Sequence, residues 1–171
     1  MYDTVLYPTD GSEGSDAAAE HARALASSFD ATVHVLSVVD TQDAEFGLSG
    51  AFFESEPGMS GDAEGGESGM VGGREDPDDS RSKRVEHRET LVDNVADHLD
   101  DVATVTAVEA GTPHEAILAY VDDNDIDLVV MGTHGRTGVE RYLLGSVTEK
   151  VVRLSDVPVV TIRSDGDAAP G

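Results

Sequence analysis

The chain contains no cysteine, so neither a disulfide framework nor a thiolate metal site is open to it. It is also poor in cations. Lys and Arg together number 11, with Lys83 and Lys150 the only lysines, against 35 Asp plus Glu, a formal charge of −24. Such a surface repels phosphate backbones and anionic lipid, which argues against nucleic acid as a partner. No apolar run approaches the roughly 20 residues of a membrane span, and Met1-Tyr2-Asp3-Thr4 has neither the basic nor the apolar region of a secretory leader. The expectation is a soluble, cytoplasmic protein. Hydrophobic residues make up only 39%, below the usual globular share, partly because one segment carries almost none.

That segment runs from Thr41 to Ser80. It holds nine Gly, two Pro and 11 carboxylates against one Arg. Its few apolar residues, among them Phe46, Leu48, Phe52 and Phe53, cannot repay the entropy of ordering it, so residues 41–80 are expected to form an acidic, flexible insertion. A short helix or docking patch over Phe46 to Phe53 is the alternative. Without the insertion 24 acidic residues still face 10 basic ones, so the acidity also covers the folded part. High ionic strength would screen that self-repulsion, and the composition predicts a halophilic source.

On either side of the insertion, strand and helix patterns alternate. Thr4 to Pro8 is a buried strand that stops at a Thr-Asp-Gly-Ser turn. Ser12 is placed to cap the next helix, with Glu13 and Asp16 in its first turn. Ala18, Ala22, Leu25, Ala26 and Phe29 recur on one face of that helix. Thr32 to Val39 is dense in β-branched residues and predicts the second strand. Arg81 to Leu99 carries Val85, Leu91, Val92, Val95, Ala96 and Leu99 at helical spacing. Val102 to Glu109 alternates as an edge strand does. Thr112, Pro113 and Glu115 spell a capping box, with Ala116, Ile117, Tyr120 and Val121 inward. Asp127 to Met131 is a fourth strand and Ser146 to Leu154 a helix; Val157 to Ile162 is a fifth strand, in which Pro158 points to an edge. This alternation predicts a parallel sheet with helices on both faces, one domain over residues 1–165 and a frayed tail at 166–171.

Chemistry concentrates after the fourth strand. Gly132 and Gly135 lie in a turn where absent Cβ atoms let a ligand reach backbone N–H groups, and Gly145-Ser146 opens a helix whose free amides could meet the same anion. The spacing Gly-x2-Gly-x9-Gly-Ser over Gly132, Gly135, Gly145 and Ser146 resembles the nucleotide-binding signature of ATP-binding universal stress proteins. Tyr7-Pro8-Thr9-Asp10-Gly11-Ser12 and Val157-Pro158-Val159-Val160 match in the same order, so the resemblance spans nearly the whole chain outside the insertion. Three dispersed matches are far more specific than a lone Gly motif.

The resemblance implies a strand order of 3-2-1-4-5 in a Rossmann-like sheet of the adenine nucleotide alpha hydrolase type, and a homodimer paired through the fifth strand. It also implies ATP held between the ends of the first and fourth strands, with Asp10 against the nucleotide. Asp10 could equally be a turn or capping Asp before Gly11. Pro8 and Thr9 would line the same wall. Val38 would offer backbone groups to adenine with Met131 opposite, although alone both read as core. Arg136 is a candidate γ-phosphate partner or a solvated surface residue; His134 could pack over the cleft or lie exposed. Val147 completes the helix start.

No His-Asp arrangement marks Ser12 or Ser146 as a nucleophile, and both read as caps. No dedicated metal site is expected; any Mg²⁺ would arrive with the nucleotide. Neither the P-loop nor the dinucleotide Gly-x-Gly-x2-Gly is present. The expected function is an ATP-binding regulatory module with slow or no hydrolysis. One alternative is a related adenine-nucleotide hydrolase, which needs a Ser-Gly-Gly-rich loop that Thr9-Asp10-Gly11-Ser12 does not supply. The other is a nucleotide-free dimeric module with the insertion as its docking arm.

Overall fold

Short β-branched runs alternating with amphipathic segments fold into nine elements across the residues described, 1–41, 77–133 and 144–163 of a computed structural model. They are β1 (Thr4–Pro8), α1 (Glu13–Phe29), β2 (Thr32–Asp40), α2 (Pro77–His98), β3 (Thr104–Gly111), α3 (Pro113–Asp123), β4 (Leu128–Gly132), α4 (Ser146–Leu154) and β5 (Val159–Ile162). The five strands form one sheet in the order β3-β2-β1-β4-β5, and every pair is parallel. This is the expected order. Most of the expected insertion, including Phe46 to Phe53, lies outside the described residues, as does the tail.

Strand periodicity divides the core in two. Val5, Tyr7, Val33, Val35 and Val130 face α1 and α2, where they meet Ala18, Ala22, Ala26, Val92 and Leu99. Leu6, Leu36, Val129 and Met131 point the other way, onto Ile117, Tyr120 and Val121 of α3 and Val151 of α4. β1 and β4, buried along most of their length, are the two strands that need apolar residues in both directions. α1 can approach the sheet closely because its buried residues are Ser15 and three alanines. A Cβ on Gly132 would lie 2.2 Å from the Gly14 carbonyl oxygen, so this glycine is demanded by contact with the start of α1.

Several local expectations need correction. Helix α2 starts at Pro77, not Arg81, so the last residues of the expected flexible stretch are helical. Proline suits a first helical turn, and Lys83 is paired with Asp79 at 2.9 Å one turn away. Thr112 occupies the N-cap of α3, but its side chain makes no capping hydrogen bond. Strand β5 begins at Val159; Pro158 stands before it and contributes only its carbonyl, which accepts from the Val129 amide at 3.0 Å. Phe29 and Val152 are exposed, and Phe29 packs edge-on against Tyr2 with ring centroids 5.1 Å apart.

The amino end of the sheet is tied together. The Asp127 carboxylate accepts from the amides of Asp3 at 2.8 Å and Thr4 at 3.1 Å. Those two N–H groups hold the Asp127 carboxyl below its usual range.

Candidate functional site

β1 feeds α1 on one face and β4 feeds α4 on the other, so the chain departs in opposite directions from two neighbouring strands and leaves a crevice beyond their carboxyl ends. A cavity of about 440 Å³ occupies it. Pro8, Thr9 and Asp10 form its wall at β1, Val38 lies at β2, Met131 and Gly132 at β4, and Gly145, Ser146 and Val147 at the start of α4. These expected residues, far apart in the chain, therefore surround one hollow. His134, Gly135 and Arg136 lie outside the described residues.

The turn after β1 is held by its own hydroxyls. The Thr9 amide donates to the Leu36 carbonyl at 2.8 Å, extending the β1–β2 ladder by one bond. Ser37, fully buried, donates its hydroxyl to the Thr9 carbonyl at 2.9 Å. Gly11, at φ 75°, gives its amide to Thr9 Oγ1. Asp10 Oδ1 accepts from both the amide and the hydroxyl of Ser12, so the local turn role weighed for Asp10 is real. Asp10 also lines the cavity. Ser12 caps α1 as expected, its Oγ accepting from the Ser15 amide. Beneath this turn Tyr7 donates its hydroxyl to the Ser15 carbonyl at 2.8 Å, and burial pushes the phenol up to about 12. Tyr7 is thus a neutral structural donor at pH 7.

At β4 the expected nest of glycine amides falls partly outside the described residues, since Gly135 does. Gly132 is the last residue of the strand, and its carbonyl accepts from Thr148 Oγ1 at 2.9 Å. The Thr133 amide donates to the Ile162 carbonyl, and the Gly145 amide to the Thr133 carbonyl at 2.7 Å. Those amides are bound to backbone, and the first turn of α4 lines the cavity through Ser146, Val147 and Thr148. Ser146 is the first residue of that helix and not its cap, a second correction; the cap is Gly145, which has no side chain to bond the first-turn amides. A helix start whose N-cap offers no side chain, opening on a cavity, suits an acceptor from outside the chain, and the helix dipole favours a negative one.

Sequence reasoning missed several lining residues: Ser15, Leu36, Asp40, Arg88, Pro113, Ile117 and Thr148. Leu36, Ile117 and Pro113 give the hollow an apolar floor. Their signal, apolar residues at the carboxyl end of β2 and the amino end of α3, is indistinguishable in sequence from core. Arg88 had a clearer one. It falls on the inward stripe of α2, one turn before Val92, where a charge is out of pattern. Among the described residues no group of three or more His, Cys, Asp or Glu could hold a metal ion, and no helix is long and apolar enough to cross a membrane.

Comparison with known proteins agrees with this architecture. The model of the universal stress protein family matches residues 1–163. The universal stress protein MJ0577 of Methanocaldococcus jannaschii is 30% identical over 165 residues, which cover 95% of this chain and 96% of that one. The solved structure of MJ0577 superposes with a TM-score of 0.73 over 95% of this chain and 96% of its own, at 27% identity. A universal stress protein solved in complex with cAMP shares the fold at 20% identity, with a TM-score of 0.58 over 96% and 98% of the two chains. An Arabidopsis thaliana family member solved with AMP bound does so at 18%, with a TM-score of 0.56 over 99% and 96%. With its parallel sheet, its crevice beside β1 and β4 and a match over nearly its whole length, the chain belongs to the universal stress protein family.

Proposed function

We propose that the cavity binds an adenine nucleotide, ATP foremost, and that the protein is a nucleotide-responsive regulatory module. The observation that carries this reading is the start of α4, with no capping side chain at Gly145, opening into the same 440 Å³ hollow as the turn after β1. The amides of Ser146 and Val147, behind Gly145, would take phosphate oxygens, with His134, Gly135 and Arg136 completing that end. Asp10 would accept from the ribose hydroxyls, and Pro8 and Thr9 would flank them. Val38 and Met131 would meet the adenine, over the apolar floor that Leu36 and Ile117 provide. The AMP and cAMP complexes of structurally similar family members support an adenine ligand. Mg²⁺ would enter on the phosphates and keep most of its water. Hydrolysis is proposed to be slow or absent.

The same reading takes residues 1–165 as one domain, working as a homodimer through the edge strand β5 in a salt-rich cytoplasm. Isothermal titration with ATP at high salt tests the binding claim. Micromolar or tighter binding, weakened at least tenfold in Gly135→Val, is the expected result. No heat and no co-purified nucleotide would leave a nucleotide-free interaction module. A melting temperature that does not fall when salt is removed would end the halophilic reading.

A further inference from the structure

Arg88 projects from the inward stripe of α2 toward the carboxyl ends of β1 and β2. Its Nη1 donates to the Asp10 main-chain carbonyl at 3.1 Å and approaches Ser37 Oγ at 3.4 Å. Ser37 in turn donates to the Thr9 carbonyl. One guanidinium and one buried hydroxyl therefore hold the two successive carbonyls with which β1 runs into its turn. Arg88 is also the single cation among the described residues that line the cavity, in the company of Asp10 and Asp40.

We propose that Arg88 is a positioning residue of the nucleotide site: by gripping the Asp10 main chain from α2, it fixes the turn that presents Asp10 to the sugar of the ligand. The inference rests on the adenine-nucleotide reading of the cavity. It separates two ways in which an arginine could serve a phosphorylated ligand. A phosphate contact favours phosphorylated ligands over adenosine, and its loss spares adenosine. A hold on the sugar-facing turn acts on adenosine, AMP and ATP alike. Arg88 hydrogen-bonds the Asp10 carbonyl and Ser37, at the end of the cavity that Asp10 forms, which favours the second. A charge-assisted hydrogen bond to a main-chain carbonyl is strong enough for its loss to weaken binding about tenfold.

The test uses the full chain at high salt, as wild type, Arg88→Met and Arg88→Lys. Titration with adenosine, AMP and ATP is paired with amide hydrogen exchange of the ligand-free proteins. Expected for Arg88→Met are a loss of about tenfold for all three ligands and faster exchange at Gly11 and Ser12, whose amides bond within the turn, with the central β1 amides unchanged. Arg88→Lys, which keeps a charged donor, should recover part of both, and it stands in if the methionine variant does not fold. Loss confined to ATP, or to AMP and ATP with adenosine unaffected, or unchanged affinity with unchanged exchange at Gly11 and Ser12, overturns the proposal. If the wild type binds none of the three ligands, the nucleotide reading fails by itself; the exchange measurement then still decides whether Arg88 sets the turn.

Discussion

At its amino end the sheet is bound strand to strand by short polar bridges: the Thr32 amide reaches the Asp3 carbonyl, the Val33 amide the Ala103 carbonyl, and Asp127 spans to Asp3 and Thr4. At its carboxyl end similar residues, Asp10, Ser12, Thr9 and Ser15, bond mainly to one another inside a single turn. The first arrangement links strand starts that are exposed or half-buried. In the second the side chains bond within the turn, its main chain is held from β2 and α2 by Leu36, Ser37 and Arg88, and a hollow stands between β1 and β4. Polar side chains thus join strands where their partners lie on another segment, and shape a turn where their partners lie within it.

The division can be broken most severely at Gly132, which belongs to the site end by position but to the scaffold by contact. Gly132→Ala should lower stability by about 3 kcal/mol or more, because its Cβ would meet the Gly14 carbonyl and backbone cannot yield as a side chain does. Urea unfolding gives the value. A variant with normal stability and lost nucleotide affinity would reverse the assignment.

Tyr7→Phe comes next, at about 1–2 kcal/mol, since it removes the donor to a buried Ser15 carbonyl. Burial raises the phenol from 10.0 to about 12, so the neutral form is favoured by folding. That contribution should be complete below pH 10 and disappear as pH rises through about 12, visible by ultraviolet titration alongside unfolding.

Asp127→Ala should cost about 1 kcal/mol at pH 7 and leave ATP affinity unchanged, because it lies at the opposite end from the cavity. Its carboxyl is held below the usual 3.8, so its contribution is present above that value and fades as pH falls beneath it. A changed ATP affinity would show that the two ends are coupled.

The smallest effect is expected at His34, whose Nδ1 lies 3.0 Å from the Tyr120 hydroxyl. Burial lowers its proton affinity, so the neutral ring is favoured in the fold. Stability should hold above the ordinary histidine value of 6.5 and decline as pH falls through it. His34→Gln should flatten that slope in unfolding measured between pH 5 and pH 7.5, a range chosen around the roughly 6.5 of a free histidine.

The alternation of elements was legible because it is written in local periodicity: α4 spans Ser146 to Leu154 as its valine spacing suggests, and the burial of β1 and β4 follows from their unbroken apolar runs. The strand order was not legible that way, since register and neighbour choice depend on crossovers that no local window contains; it followed from the resemblance. Thr112 misled in its own way: a capping box is a local preference, and in the fold the Thr112 side chain makes no capping bond. At the site, residues announced by glycine or by a turn came together around the cavity, whereas Pro113 and Ile117 were hidden by their likeness to core. Arg88 could have been found by asking which charged residue breaks an inward stripe.

A single hydrogen bond, from the Gly145 amide to the Thr133 carbonyl, brings the exit of β4 and the entrance of α4 side by side. Whatever chain joins those two points starts and finishes at almost the same place. The two anchor points are thus fixed by main chain alone, so their spacing asks nothing of a side chain at Thr133 or Gly145.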